Sequence, residues 1–144
     1  MRNCQENLRL KAGLDQLKLV VFCMRKSNEN PGRKFDLEDR LVNFAINVLD
    51  LVESLPETRA SMHLGGQLLR SGTSPALNYG EAQSAESRKD FVHKLKVILK
   101  ELRESSICLR IMDKQSLLKN QEVLNESKEL VAIFTKSVKT AESK

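Results

Sequence analysis

No tryptophan occurs in the chain, and one tyrosine and five phenylalanines are its whole aromatic complement. Platforms that stack unpaired bases need more aromatic surface, so a single-strand-binding groove of that type is excluded. Cysteine is scarce too. Cys4, Cys23 and Cys108 are scattered, odd in number and form no CxxC pair. That usage excludes a disulfide framework and a zinc site and predicts a reducing, cytoplasmic setting. The longest apolar run near the amino terminus, residues 19–24, is far too short to span a bilayer. It follows Glu6 and Asp15 and has no small-residue cleavage site, so it does not read as a signal peptide. No phosphate loop, dinucleotide fingerprint or nucleophile elbow is present. Helical bundles that bind two metals use Glu-x-x-His pairs on facing helices. Here Ala60 precedes His63 and Asp90 precedes His93 at that spacing. No metal, cofactor, membrane or small-molecule substrate is therefore expected, and no catalytic residue is assigned.

What the chain does have is charge and helical periodicity. Its 144 residues suffice for one domain with a real core. The formal net charge is +5. Residues 1–34 hold eight Lys/Arg and three Asp/Glu, and residues 35–144 hold sixteen of each. The excess thus lies entirely in the leader, and the remainder is neutral. Residues 28–34, Asn-Glu-Asn-Pro-Gly-Arg-Lys, read as a polar linker. The leader over residues 1–34 is expected to lie outside the folded domain and to be disordered, with Met24 as an alternative native start. The domain spans 35–140, and 141–144 form a tail.

Four helices are expected in that domain. Asp36 is a good N-cap for the first, over about 37–55. Leu37, Leu41, Phe44, Val48, Leu51 and Leu55 repeat there at bundle spacing, and Pro56 ends it. Thr58 caps the second, over about 59–84, where Gly72 and Pro75 predict a kink or a restart at Ser74-Pro75. Ser87 caps the third, which runs to about 113 with Phe91, Leu95, Ile98, Leu102, Leu109 and Met112 inward. The fourth covers about 121–139 with Leu124, Val131, Phe134 and Val138 inward. Short connections imply antiparallel neighbours. The fold class is all-α, an up-down-up-down four-helix bundle.

The second helix carries an unusual pattern. Gln67, Arg70, Ser74, Asn78 and Glu81 fall at spacings of three and four, so they share one face. Most of their neighbours are small or apolar, which predicts a buried helix with a polar seam, serving either structure or a ligand groove. If the second and third helices fold back at Glu86, Arg70 lies level with about Leu102. An Arg70–Glu104 ion pair is then expected, with Glu101 as the alternative partner. On the third helix, Lys89, Lys94, Lys96, Lys100 and Arg103 make a basic stripe, either a solvated face or a nucleic-acid surface. Leu69 on the second helix and Ile107, Cys108 and Ile111 on the third lie outside the core stripes and predict a subunit interface.

The same second-helix residues resemble a family signature. Gln67-Leu68-Leu69-Arg70, Ser74 with its adjacent Pro75, and Asn78-x-x-Glu81 are similar to the four-helix-bundle proteins encoded by intervening sequences in bacterial large-subunit ribosomal RNA. The likeness covers residues 35 to about 138. Ala82 replaces the family's usual Gly after the Glu, and Pro75 sits one place early. The resemblance implies an all-α bundle assembled into a ring, a homopentamer, and matches Glu104 to a glutamate the family carries in its third helix. It supplies no firm activity. Related accessory proteins of diversity-generating retroelements bind nucleic acid and reverse transcriptase through a basic ring. The expected function is thus a non-enzymatic oligomeric scaffold with an RNA, DNA or ribonucleoprotein partner. A second pattern, Arg88 followed by His93, resembles the Arg-x4-6-His element of HEPN-type ribonucleases, whose Arg and His would stabilise the phosphorane and move protons. It arises readily by chance.

Because the domain is neutral, deleting residues 1–34 should remove most non-specific RNA or DNA affinity at low salt and leave helicity unchanged. Binding isotherms over a salt series check this. An equal salt slope with and without the leader would place the binding surface on the third helix.

Overall fold

The computed structural model describes residues 37–143, and the leader expectations and the Asp36 cap lie outside them. Among the described residues there are four α-helices and no strand: α1 Leu37–Glu53, α2 Arg59–Gln83, α3 Arg88–Lys114 and α4 Glu122–Glu142. Consecutive helices pack on each other and α1 closes against α4. The result is the antiparallel bundle that the apolar spacing implies.

Local chemistry sets the helix ends. Thr58 Oγ1 accepts the Ser61 amide at 3.1 Å and Ser87 Oγ accepts the Asp90 amide at 3.1 Å, each satisfying a donor that a helix start leaves open. The end of α3 has no glycine to mark it. Ser116 takes φ 56°, while its amide donates to the Asp113 carbonyl and the Leu117 amide to that of Met112. This is a Schellman closure made with serine.

The core runs the length of the bundle. Leu41, Phe44 and Val48 of α1 meet Leu68 of α2, Leu95, Ile98, Leu102 and Leu109 of α3, and Leu130 and Phe134 of α4. Tyr79 and Phe134 pack edge to face with ring centroids 6.1 Å apart, joining α2 to α4. Of the glycines in α2, Gly72 approaches α1 most closely. A Cβ there would sit 2.9 Å from both Val48 methyl carbons. Between α2 and α3, Ser105 Oγ lies 2.9 Å from Ser71 Oγ and 3.0 Å from the Glu101 carbonyl, so two buried hydroxyls satisfy each other.

Three expectations need correction. First, Pro75 neither breaks nor restarts α2, which is uninterrupted from Arg59 to Gln83. Pro75 is fully buried, so packing holds the helix through the lost amide. Side chains also supply local bonds there: Asn78 Nδ2 donates to the Ser74 carbonyl at 3.0 Å and Thr73 Oγ1 to the Leu69 carbonyl at 2.7 Å. Second, Cys108 is buried rather than presented at a surface. α3 packs on both α2 and α4, so its buried arc is wider than one stripe and also takes in Leu99 and Ser105. Third, Leu130 rather than Val131 occupies the centre of α4's inward face.

The glycines of α2 give a test of this packing. Gly66 and Gly80 have open space where a Cβ would go. Gly66→Ala and Gly80→Ala should each stabilise the fold by about 0.5–1 kcal/mol through helix propensity. Gly72→Ala gains the same propensity but overpacks Val48, and should lose about 1–2 kcal/mol net. Chemical denaturation of the three variants measures this. Adding Val48→Ala to Gly72→Ala should cost less than the sum of the two single changes.

Candidate functional site

The polar seam of α2 faces outward in the chain, not into the core. The buried face of α2 is made instead by Ser61, Gly65, Leu68, Ser71, Gly72, Pro75, Tyr79 and Ala82. Small residues dominate that face because α1 and α3 approach closely there. The seam lies on the flank of that face, each of its residues one position before a buried one and so about 100° further round the helix. Arg70 is 68% exposed and Glu81 is exposed, whereas Gln67, Ser74 and Asn78 are half-buried.

Arg70 Nη2 sits 3.8 Å from Glu104 Oε1 across the α2–α3 contact, and also donates to Gln67 Oε1. The partner is the expected one, but the pair is solvated rather than buried. Glu81 Oε2 accepts from Lys94 Nζ at 2.8 Å, and this bond holds the Lys94 ammonium above its ordinary pKa. Asn78 Nδ2 donates to Ser74 Oγ at 2.8 Å. Each seam residue is therefore engaged within α2 or with α3, and together they form a polar strip beside the α2–α3 junction. Cys108 lies beneath this strip. Burial pushes its thiol pKa up, nearby Glu104 adds to that, and Arg70 opposes it. It is kept as a thiol, not poised as a nucleophile.

The basic stripe of α3 divides. Lys94 turns toward α2, as above. Lys89, Lys96, Lys100 and Arg103 recur on the outward side. Lys96 Nζ pairs with Glu142 Oε1 of α4 at 2.5 Å. Lys96, Lys100, Arg103 and Lys139 border an open depression of about 650 Å³, floored partly by Leu99, Ile107 and Val138. Among the described residues no cluster of His, Cys, Asp and Glu is arranged to hold a metal. No described helix is long and apolar enough to cross a membrane.

Arg88 and His93 do not converge. Five residues on a helix separate them by about 140°. The Arg88 guanidinium is occupied: Nε and Nη2 donate to the Ala141 carbonyl at 3.3 and 2.8 Å, capping the end of α4. His93 is exposed on another flank.

Large apolar side chains stand in solvent on two sides. On α3, Ile107 is 55% and Ile111 43% exposed. On α2, Met62 and Leu77 are more than 70% exposed, with Leu69 half-buried. Sequence reasoning missed a third group, Val42, Ile46 and Leu49 of α1, all over 40% exposed. Their signal was present as a second four-three repeat, one or two residues from the core stripe. Also unforeseen is Arg40, whose guanidinium forks onto Glu126 at 2.5 and 2.9 Å and reaches Glu129, tying α1 to α4. The Glu126 bond raises its pKa further.

A family model described as 23S rRNA-intervening sequence protein matches residues 33–137. A crystal structure from Bacteroides thetaiotaomicron, described as a protein of unknown function from the S23 ribosomal protein family, is similar to this chain. Its TM-score is 0.67 at 29% identity, covering 72% of this chain and 99% of that one. No curated protein matches.

The two arginine pairs should differ in worth. Arg70→Ala removes a solvated contact and should cost under about 1 kcal/mol. Arg40→Ala leaves a half-buried carboxylate without its donors and should cost about 1–3 kcal/mol. Urea unfolding of both variants compares them, and equal losses would contradict the difference in burial.

Proposed function

Because the chain belongs to the 23S rRNA-intervening sequence protein family, we propose that it is a non-enzymatic, cytoplasmic assembly unit: a helical bundle that associates with copies of itself into a closed ring and serves as a scaffold. The observation that carries this is the set of exposed aliphatic side chains. Val42, Ile46 and Leu49 on α1, Met62 and Leu77 on α2, and Ile107 and Ile111 on α3 are too many for a bundle that works alone. Association with other subunits removes them from water. Five subunits is the number that the family likeness suggests. The absence of a catalytic role is supported by Arg88 being spent on the Ala141 carbonyl and by Cys108 being held as a thiol.

A second reading gives the ring an RNA partner. The family's description supplies an RNA setting, and Lys100, Arg103 and Lys139 beside the α3–α4 depression suit phosphate. Salt-dependent RNA binding that survives deletion of residues 1–34 and falls on Lys100→Ala with Arg103→Ala would favour it.

Light scattering at micromolar concentration tests assembly. The full chain should show a mass several times 16.3 kDa. Ile111→Asp should shift it toward one chain with helicity largely kept, since burying one isoleucine contributes roughly 1.5–3 kcal/mol at every interface. A wild-type mass of one chain would end the proposal.

A further inference from the structure

Resting on that assembly reading, we infer that the subunits meet head to tail, the outward stripe of α1 on one copy packing against the outward ridge of α3 on the next. The two stripes are matched in pattern. On α1, Asp39, Val42, Ile46, Leu49 and Glu53 recur at three- and four-residue spacing along the exposed side. Carboxylates bracket an aliphatic centre. On α3, Lys100, Arg103, Ile107, Ile111 and Lys114 recur in the same way, all exposed. Here cations bracket an aliphatic centre. Asp39 to Glu53 and Lys100 to Lys114 are the same distance in sequence, about 21 Å along either helix at 1.5 Å per residue. Laid together in either direction, the ends bring opposite charges into register and the middles bring aliphatic side chains together.

The charge difference selects the pairing. α1 carries Glu38, Asp39, Asp50 and Glu53 against Arg40, so two copies of α1 repel each other. The ridge of α3 carries Lys100, Arg103 and Lys114 against one carboxylate, Glu104, which already pairs with Arg70, so two copies of α3 repel each other as well. α1 against α3 is the attractive combination. Both stripes face away from the shared core, on different sides of the bundle, so one copy can engage two neighbours at once. An interface of two different faces propagates, and with a fixed turn at each step it closes into a ring. Leu69 and Met62, which follow the α1-facing glycines around α2, extend the α1 surface.

The test mixes two full-length variants, Ile46→Asp on the α1 stripe and Ile111→Asp on the α3 ridge, each checked for helicity by circular dichroism. Each alone should lose the ring. Mixed in equal amounts, they should form a species of two chains, because one undamaged α1 stripe and one undamaged α3 ridge remain to pair. If either aspartate variant loses helicity, Glu53→Lys and Lys100→Glu, both at exposed positions, take its place. A mixture that stays at one chain overturns head-to-tail pairing, as does either single variant that keeps the wild-type mass, while leaving the assembly reading intact. A wild-type protein that is itself one chain removes the assembly reading too. A short RNA that binds the wild-type ring at low salt without lowering its mass, and loses that binding on Lys100→Glu, would show the α3 ridge uncovered in the assembly and overturn the pairing.

Discussion

Ser71 and Gly72 are neighbours in sequence and touch different helices. Ser71 meets the hydroxyl of Ser105 on α3, and Gly72 lies under the methyl groups of Val48 on α1. Consecutive helical residues point about 100° apart, so these two contacts fix the rotation of α2 about its own axis. Neither tolerates a larger side chain: one is a saturated hydroxyl pair inside the core, the other a backbone pressed against a β-branched residue. Once α2 is pinned in this way, every other residue on it has an assigned direction. Arg70, one position before Ser71, must lie on the far flank of the α3 contact, and Leu69 and Met62 on the far flank of the α1 contact.

The outward position of the polar seam follows from that rotation. A helix with few charges looks buried on all sides, yet only an arc of α2 can be buried when it packs mainly on two neighbours. The small residues claim that arc because they permit close approach, and the longer polar side chains are left to the rim. There they knit together: Gln67 with Arg70, Arg70 with Glu104, Asn78 with Ser74, Glu81 with Lys94. Solvated ion pairs of this kind contribute little to stability individually. Their effect is to hold long side chains against the α2–α3 junction, beside the exposed aliphatic groups, so that this surface is ordered in the single chain.

Much of this was legible in the residues. The caps Thr58 and Ser87, the four apolar stripes and the Arg70–Glu104 pairing height can each be read from spacing alone, because helix geometry converts sequence distance into direction and height. Three things could not be read so. Burial of Cys108 depends on α3 having two neighbours, which widens its inward arc beyond a single stripe. The passage of α2 through Pro75 depends on packing from outside the helix, which outweighs the missing amide. The end of α3 at Ser116 uses a left-handed residue that is not glycine, so the usual stop signal is absent. The aliphatic group of α1 was legible but hidden by a stronger pattern. Val42 and Leu49 sit one residue after Leu41 and Val48, and Ile46 sits midway between Phe44 and Val48, so the weaker stripe lies inside the span of the stronger one.

The charges of the domain show why a neutral total is uninformative. α3 carries eight Lys/Arg against four Asp/Glu, whereas α1 carries one against four. Cancellation across the domain hides a separation across its width. At physiological ionic strength fields fade over about 8 Å, so what a partner meets is the local charge of one face and not the sum. An acidic face and a basic face on one body repel their own kind and attract each other. In the proposed contact the aliphatic centres would supply most of the energy, and they have no directional preference of their own. The bracketing charges would supply the choice of partner and of face. Without them the exposed isoleucines would favour any apolar surface, and association would have no fixed stoichiometry. In the proposed ring, these charges would give a bundle that leaves aliphatic side chains in water on several helices one way of covering them.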